Sequence, residues 1–131
     1  MKRTLISTGS PFEKTAGYSR AVVQETPAGR WVFVSGTTGY DYATMTMPES
    51  VEEQTRNSLA TIGKALAEAN CDFRHVVRCH YYVTSRDWVE RVFPVLGETF
   101  DEIRPAATMI VCDLNEPEMK IEIEVTALKV D

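Results

Sequence analysis

Two glutamates near the C-terminus, Glu122 and Glu124, have a spacing that suits acid–base chemistry. They lie in residues 120–127, Lys-Ile-Glu-Ile-Glu-Val-Thr-Ala, where polar and apolar residues alternate. Because the side chains of a β-strand alternate between its faces, both carboxylates project from one face, and Ile121 and Ile123 from the other. Carboxylates at this spacing lie roughly 7 Å apart, so on a partly desolvated face their repulsion raises the pKa of at least one of them. Such a pair can serve as acid or base, whereas on a hydrated face it only adds charge.

Strands are predicted where short runs of β-branched and aromatic residues are bounded by turn residues. Residues 108–114 and 119–130 flank a turn at 115–118, and this pattern favours a hairpin-like pair that carries the two glutamates. Residues 31–35 form a near-continuous apolar run, which indicates a central strand buried on both faces. Further strands are predicted at residues 2–7, 20–25 and 75–84.

Two helices are predicted between these strands. The first begins at Ser50, in a capping box with Glu53, and ends at Asn70. Pro94 is expected to interrupt the second, which leaves a helix at residues 93–101. The element order β-β-β-α-β-α-β-β predicts an α+β fold in which two helices cover one face of a six-stranded mixed sheet. The buried side of the second helix is expected to include Trp88, Phe93, Leu96 and Phe100.

Ser35 and Gly36 follow the predicted central strand directly. A glycine in this position often marks a place where the backbone approaches a ligand. The segment is not a phosphate-binding loop, because no Gly-Lys-Ser/Thr sequence closes it. The following residues, 39–48, are rich in Tyr and Met and either fold over a pocket or fill packing space.

Length and composition narrow the class of protein. A chain of 131 residues, 44% hydrophobic and 25% charged, is expected to fold as one globular domain over residues 1–131. No segment approaches the roughly 18 apolar residues that span a membrane, and the N-terminus has no signal-peptide core, which predicts a cytoplasmic location. The net charge of −5 and the scattered basic residues argue against a nucleic-acid partner. Three separated cysteines without a Cys-x-x-Cys motif indicate neither disulfides nor a metal site, and no cofactor is predicted.

The C-terminal string resembles the signature of the RidA/YjgF/YER057c/UK114 family, whose members were once described as L-PSP endoribonucleases. Arg104-Pro105-Ala106, an alternating strand, a turn and residues 120–127 follow one another as in that family. The resemblance implies a chorismate-mutase-like fold and a homotrimer with small-molecule clefts between subunits. It covers nearly the whole chain, with further matches at residues 16–19, 34–36, 53–59 and 76–78.

One position departs from the pattern of the family's enamine/imine deaminases. Their motif reads Pro-Ala-Arg, and the arginine is understood to bind the substrate carboxylate through two parallel hydrogen bonds. Here Ala107 takes its place, as in a subgroup that lacks the arginine. On a regular strand Arg104 would face away from position 107. A substitute cation would have to be brought in by folding or by a neighbouring subunit, the candidates being Arg20, Arg30 and Arg56.

The resemblance assigns roles to several residues. Glu122 would be the catalytic residue that holds and polarises a water for attack on an imine carbon. Tyr18 would line the site, although an aromatic cap on the sheet edge explains it equally well. The backbone of Ser35 and Gly36 would orient the substrate. The remaining substrate-binding positions would be Ala107 and Thr108.

Three functions remain open on this sequence. The first is hydrolytic deamination of enamine or imine metabolites, with either a substitute cation or a substrate that has no carboxylate. The second is a non-catalytic homotrimer that binds a small metabolite and acts in regulation or as a chaperone-like module. The third, endoribonuclease activity, requires a basic face and a paired acid–base site, neither of which the sequence indicates.

Overall fold

A six-stranded mixed sheet forms the centre of this computed structural model, which describes residues 1–130. The strands lie in the order β1-β2-β3-β6-β4-β5, and all neighbours are antiparallel except the parallel pair β4 and β5. The predicted α+β fold with six strands is confirmed. The strand bounds are β1 (Arg3–Ile6), β2 (Ala21–Thr26), β3 (Gly29–Thr38), β4 (Val76–Val83), β5 (Ala106–Val111) and β6 (Ile121–Lys129).

Two long helices, α2 (Val51–Glu68) and α3 (Val89–Phe100), cover one face of the sheet, as predicted. The predicted ends of α2 are also confirmed. Ser50 accepts a hydrogen bond from the Glu53 backbone N–H at 3.1 Å, and Asn70 follows the helix with a left-handed φ of 60°.

Helix α3 begins earlier than the sequence predicts. Pro94 lies inside it, and Phe93 is 54% exposed instead of buried. A proline ring conflicts with the carbonyl four residues before it, and here that residue, Glu90, belongs to the first turn of the helix. The disturbance is therefore confined to the start of α3. The buried side consists of Val92, Val95, Leu96 and Phe100.

A short helix, α1 (Pro11–Ala16), is absent from the prediction although its end signals are present. Ser10 caps it by accepting a hydrogen bond from the Phe12 N–H at 3.3 Å, and Gly17 ends it with a φ of 73°. Serine before a proline and glycine after the last turn are typical of a helix start and stop. A helix of six residues is too short to show a periodic apolar stripe, so residues 9–11 read only as a turn.

The two C-terminal strands do not form the predicted hairpin. β6 lies between β3 and β4, while β5 pairs only with β4 and runs parallel to it. Parallel neighbours need a crossover connection, and α3 supplies it between β4 and β5. The turn at residues 115–118 is present, but it connects strands that β4 separates. A local turn signal predicts a reversal of the chain and does not specify which strands pair.

The two faces of the sheet differ in burial. Glu122 and Glu124 lie on the face that the helices leave uncovered, so the predicted alternation of β6 is confirmed. β3 is central, as predicted, but Phe33 on the uncovered face is 47% exposed, so this strand is buried on one face only. Burial of an Ile or Val side chain contributes about 1.5–3 kcal/mol. The residues of β6 that are at most 2% exposed are Ile121, Ile123, Val125 and Ala127.

Candidate functional site

Glu122 lies against an irregularity in β3. The pairing register between β3 and β6 shifts between Val34 and Thr37, so Ser35 and Gly36 form a β-bulge. A Cβ atom added to Gly36 would lie 2.5 Å from Glu122 Oε2, which is closer than real Cβ atoms come to their neighbours. The absence of a side chain at Gly36 therefore allows the Glu122 carboxylate to lie on the bulge.

The Glu122 carboxylate faces a cleft of about 200 Å³, named here the Glu122 cleft. Its walls come from α1, from the bulge of β3 and from the loop between β5 and β6. Three of the predicted site residues, Tyr18, Gly36 and Glu122, line it together. The aromatic and charged side chains that line the cleft are Phe12, Tyr18, Tyr42, Glu116 and Glu122.

The protonation of Glu122 depends on its surroundings. Burial raises the pKa of Glu122 above its ordinary value of 4.5, and the negative charge of Glu124 adds to the rise. The Arg20 guanidinium acts in the opposite direction and favours the ionised carboxylate. A carboxyl group with a raised pKa is better suited to transfer protons near neutral pH. The predicted rise in pKa is confirmed for Glu122, and its catalytic role stays a prediction.

Glu124 has different surroundings on the same sheet face. His80 Nδ1 lies 2.9 Å from Glu124 Oε1, and the Tyr82 hydroxyl donates to the same oxygen at 2.6 Å. The hydrogen bond to Glu124 raises the pKa of Tyr82 to about 12. The two glutamates thus differ, because Glu122 faces the cleft and Glu124 is held by two side chains of β4.

Arg20 is the candidate cation that folding brings to this cleft. Its side chain is fully buried, and Nη1 donates to Gly36 O at 2.9 Å and to Thr37 Oγ1 at 3.0 Å. Nη2 lies 3.9 Å from Glu13 Oε2, while Nε has no hydrogen-bond partner within residues 1–130. Arg20 therefore holds the bulge on which Glu122 lies.

Two tyrosine rings separate Arg20 from the space of the cleft. The guanidinium carbon lies 5.7 Å from the ring centroid of Tyr18 and 4.9 Å from that of Tyr42. Both rings line the cleft, while the Arg20 side chain has no exposed surface. Burial raises the pKa of Tyr18, so its hydroxyl stays protonated and can donate a hydrogen bond. The positive charge of Arg20 acts on the cleft from behind these rings.

The other two candidate cations are engaged elsewhere. Arg30 Nε donates to Glu25 Oε2 at 2.8 Å, and Arg30 Nη1 donates to Ala69 O at 2.8 Å. Arg56 is exposed and lies 3.6 Å from Glu98 Oε1. Neither arginine lines the Glu122 cleft.

Ser35 contributes to the bulge and not to the cleft lining. Its hydroxyl donates to Ser19 O at 2.6 Å, and its backbone N–H donates to Arg20 O at 2.8 Å. Because Gly36 O also accepts from Arg20, the polar groups of both residues are used to hold the backbone in place. Of the two, only Gly36 lines the cleft.

Ala107 and Thr108 lie on β5, away from the Glu122 cleft. Ala107 pairs with Cys79 and lines a separate groove of about 430 Å³ between β5 and α3, named here the β5 groove. Thr108 is level with His80 and Glu124 on the uncovered face, with β4 between its own strand and β6. Within one chain neither residue lines the Glu122 cleft.

Arg104 lines the same groove as Ala107, and the prediction that it faces away is wrong. Its φ of 57° is left-handed, although a residue that precedes a proline usually adopts extended geometry. Because Arg104 precedes β5, the alternation of strand side chains does not apply to it. Its Nε donates to Asp101 O at 2.6 Å, a local bond across the turn after α3.

The sequence did not predict two parts of the cleft, the side chain of Phe12 and the loop that carries Glu116. Phe12 belongs to α1, and the cap signals of that helix would have indicated it. The loop that carries Glu116 is positioned by Gln54, which is fully buried in α2. The Gln54 amide donates to Glu118 O at 3.0 Å and accepts from the Lys120 N–H at 2.9 Å. No local sequence pattern marks such long-range hydrogen bonds.

Residues 1–130 contain neither a candidate metal site nor a helix that could span a membrane. No group of three His, Cys, Asp or Glu side chains in this part of the chain is arranged to hold a metal ion. None of its helices is both long and apolar enough to cross a membrane. Cys71, Cys79 and Cys112 are free thiols, and the first two are buried.

The element order, the mixed sheet and its two covering helices define an α+β protein of the YjgF type. The chain belongs to the RidA/YjgF/UK114 family, since residues 8–129 match the family model described as endoribonuclease L-PSP. The resemblance in the C-terminal signature is thereby confirmed.

Individual relatives agree with this assignment. Protein DfrA of Myxococcus xanthus is 31% identical over 98% of this chain and 97% of its own length. The 2-iminobutanoate/2-iminopropanoate deaminase of Bos taurus is 28% identical over 97% of this chain and 90% of its own length. The crystal structure of Rv2704 from Mycobacterium tuberculosis, a YjgF/YER057c/UK114 family member, is 36% identical and matches with a TM-score of 0.86. That match covers 98% of this chain and 100% of the Rv2704 chain.

Proposed function

We propose that this protein hydrolyses small enamines or imines to carbonyl compounds and ammonia, and that the reaction takes place in the Glu122 cleft. One observation carries the proposal: the Glu122 carboxylate has a raised pKa and lies on a glycine bulge in a cleft with aromatic walls. Family membership and the likeness to the 2-iminobutanoate/2-iminopropanoate deaminase of Bos taurus support it.

The proposed reaction uses Glu122 as base and then as acid. The carboxylate takes a proton from water while the water oxygen bonds to the carbon of a protonated imine, which gives a neutral carbinolamine. Glu122 returns the proton to the nitrogen, the C–N bond breaks, and ammonia leaves. The hydroxyl proton passes to the carboxylate and on to ammonia, so the products are a carbonyl compound and ammonium. In this reaction Tyr18, which lines the cleft, orients the substrate through its hydroxyl.

The proposal includes a homotrimer in which a small molecule binds between subunits. Two features support association. The uncovered sheet face exposes Leu5 at 61%, Phe33 at 47% and Ile110 at 47%, and β5 is an edge strand with unpaired backbone groups. In such an assembly Ala107 and Thr108 join the cleft if a neighbouring copy contributes them.

The test is ammonia release from enzymatically generated 2-aminoacrylate and from imines without a carboxylate, with wild-type protein beside Glu122→Gln. We expect Glu122→Gln to lower the rate by about 100-fold or more, because it removes the proton acceptor and keeps the shape. Glu102→Gln, an equal change of charge at an exposed position outside the cleft, is the matched control. Wild-type rates equal to buffer on every substrate would refute the proposal.

The proposed homotrimer is tested by measuring the mass of the protein in solution. A mass in solution of about three times 14.7 kDa is expected, and a mass near 14.7 kDa would remove the intersubunit cleft.

One observation favours a second candidate function, non-catalytic binding of a small metabolite in regulation or as a chaperone-like module. Position 107 offers no cation, and Arg20 is shielded from the cleft by two rings. For this function we expect a small ligand to raise the melting temperature without being converted. RNA cleavage is the least supported activity, because the charged side chains that line the cleft are the carboxylates of Glu116 and Glu122.

A further inference from the structure

The charged side chains that line the Glu122 cleft are acidic. Glu116 and Glu122 line it, and within residues 1–130 no Lys, Arg or His side chain does. Arg20 is fully buried behind the wall, and its Nη2 lies 3.9 Å from Glu13 Oε2, so its charge is partly compensated. The surface that a ligand would touch is therefore negatively charged.

Three aromatic side chains, Phe12, Tyr18 and Tyr42, also line the cleft. The ring centroid of Tyr40, which does not itself line the cleft, lies 6.0 Å from those of Phe12 and Tyr42, so it packs against two of the three rings. Aromatic faces attract ammonium-type cations because the ring carries negative charge on its face. Carboxylates and aromatic rings together form a binding surface for a cation.

A ligand carboxylate has no cationic partner in this surface. The position that carries the carboxylate-binding arginine in the deaminases is Ala107, which lies in the β5 groove. An anionic group in the Glu122 cleft would approach two carboxylates without an exposed cation to offset the repulsion.

We propose that the Glu122 cleft selects a cationic ligand, namely a small protonated imine or primary ammonium ion that carries no carboxylate group. This inference rests on the proposed function, because it assigns a substrate class to the same cleft. A protonated imine is also the form that water attacks most readily, so one carboxylate attracts the substrate and accepts the proton from water.

The first experiment compares three probes of similar shape and different charge, n-butylammonium, butan-1-ol and pentanoate, by calorimetry or NMR titration at pH 7. We expect n-butylammonium to bind at least ten-fold more tightly than pentanoate and several-fold more tightly than butan-1-ol. Equal or tighter binding of pentanoate would overturn the inference and indicate a cation supplied by another copy. The absence of n-butylammonium binding would overturn it as well.

Two variants test whether the preference for a cation arises in the Glu122 cleft. Glu116→Gln is expected to weaken n-butylammonium binding about three-fold or more while binding of butan-1-ol stays unchanged. Glu102→Gln removes the same charge at an exposed position outside the cleft and should change neither. Equal weakening by both variants would attribute the preference to net charge and not to the cleft.

Turnover separates this inference from the proposed function. The imine formed by an amine oxidase from n-butylamine is compared with 2-iminobutanoate formed by an amino-acid oxidase, and ammonia release is measured. Faster reaction with the carboxylate-free imine is expected. Selective binding of n-butylammonium without turnover keeps the inference and removes the proposed function. Faster turnover of 2-iminobutanoate that is lost in Glu122→Gln keeps the proposed function and overturns the inference.

Discussion

The Glu122 cleft and the β5 groove hold different parts of the expected site. The cleft combines Tyr18, Gly36 and Glu122 with a buried arginine behind its wall, whereas the groove contains Ala107 and is lined largely by apolar side chains of α3 and β5. Glu122 and Ala107 belong to one C-terminal signature in the sequence, yet β4 lies between the strands that carry them. Residues that follow one another in a motif can therefore lie in two sites of one chain, and only contact between copies can unite them.

Replacing Arg20 is expected to have the largest effect on the Glu122 cleft. Arg20→Met removes the donor to Gly36 O and Thr37 Oγ1 and leaves Glu13 without its cation. Loss of one partner from a buried ion pair is expected to destabilise the fold by roughly 3–5 kcal/mol, measured by urea denaturation. The variant should also shift the acidic limb of the activity profile to higher pH, because Arg20 lowers the pKa of Glu122.

Arg56→Met is the control for the loss of stability expected in Arg20→Met. Arg56→Met removes an exposed arginine that lies 3.6 Å from Glu98, and such surface pairs contribute about 0–1 kcal/mol. Similar losses of stability in the two variants would contradict the special role of the buried arginine.

The next largest effect is expected at the bulge. In Gly36→Ala the new methyl group would lie 2.5 Å from Glu122 Oε2, so the carboxylate must move. We expect a loss of about 1–3 kcal/mol in the free energy of unfolding, typical of overpacking, together with a fall in ammonia release.

Gly97→Ala is the control for this glycine. Gly97 lies in α3 beside the β5 groove, and a Cβ atom added to it would have open space within 4 Å. Alanine is favoured over glycine inside a helix by about 0.5–1 kcal/mol, so this variant should be at least as stable as the wild type. Activity that survives Gly36→Ala unchanged would show that the carboxylate does not need its place on the bulge.

Restoring the missing arginine tests whether a neighbouring copy brings the β5 groove to the Glu122 cleft. Ala107→Arg places a guanidinium beside the β5 groove, and β4 lies between its strand and the strand of Glu122 in the same chain. If a neighbouring copy places this groove beside the cleft, hydrolysis of 2-iminobutanoate should rise about ten-fold, and imines without a carboxylate should gain nothing. An unchanged rate would show that the two sites stay apart in the assembly.

The smallest effect concerns pH and stability. Burial raises the pKa of Glu122 in the folded protein above 4.5, so the folded state binds the proton more tightly than the unfolded state. Stability is therefore expected to fall as pH rises from about 4.5 through the raised pKa of Glu122. Glu122→Gln should lose less stability over this interval in urea denaturation. Parallel curves for the two proteins would indicate that the carboxylate is hydrated in solution.

Local patterns explain what the sequence could predict. The alternation along β6 was enough to place Glu122 and Glu124 on one face, and Ser50 and Asn70 marked the ends of α2 because capping depends on neighbours in the chain. These features involve interactions within a few residues of each other.

Features that depend on distant contacts were missed or wrong. The turn at residues 115–118 suggests a hairpin between the last two strands, but pairing is decided by packing of the whole sheet, and β6 pairs with β3 and β4 instead. Arg20 was one of three candidate cations, and it is distinguished by contacts with distant residues, among them its hydrogen bonds to Gly36 and Thr37. The buried Gln54 that holds the loop after β5 gives no local signal.

The place of β6 in the sheet also has a consequence for folding. β6 follows all other strands in the chain, yet it joins β3 to β4 in the middle of the sheet. During synthesis the strands β1, β2 and β3, and then β4 and β5, leave the ribosome before β6, the strand that links the two groups. Such late, non-local pairing slows folding and leaves apolar strand edges open to aggregation or chaperone binding. Pairing of β6 with β3 and β4 is also what brings the Glu122 carboxylate to its cleft.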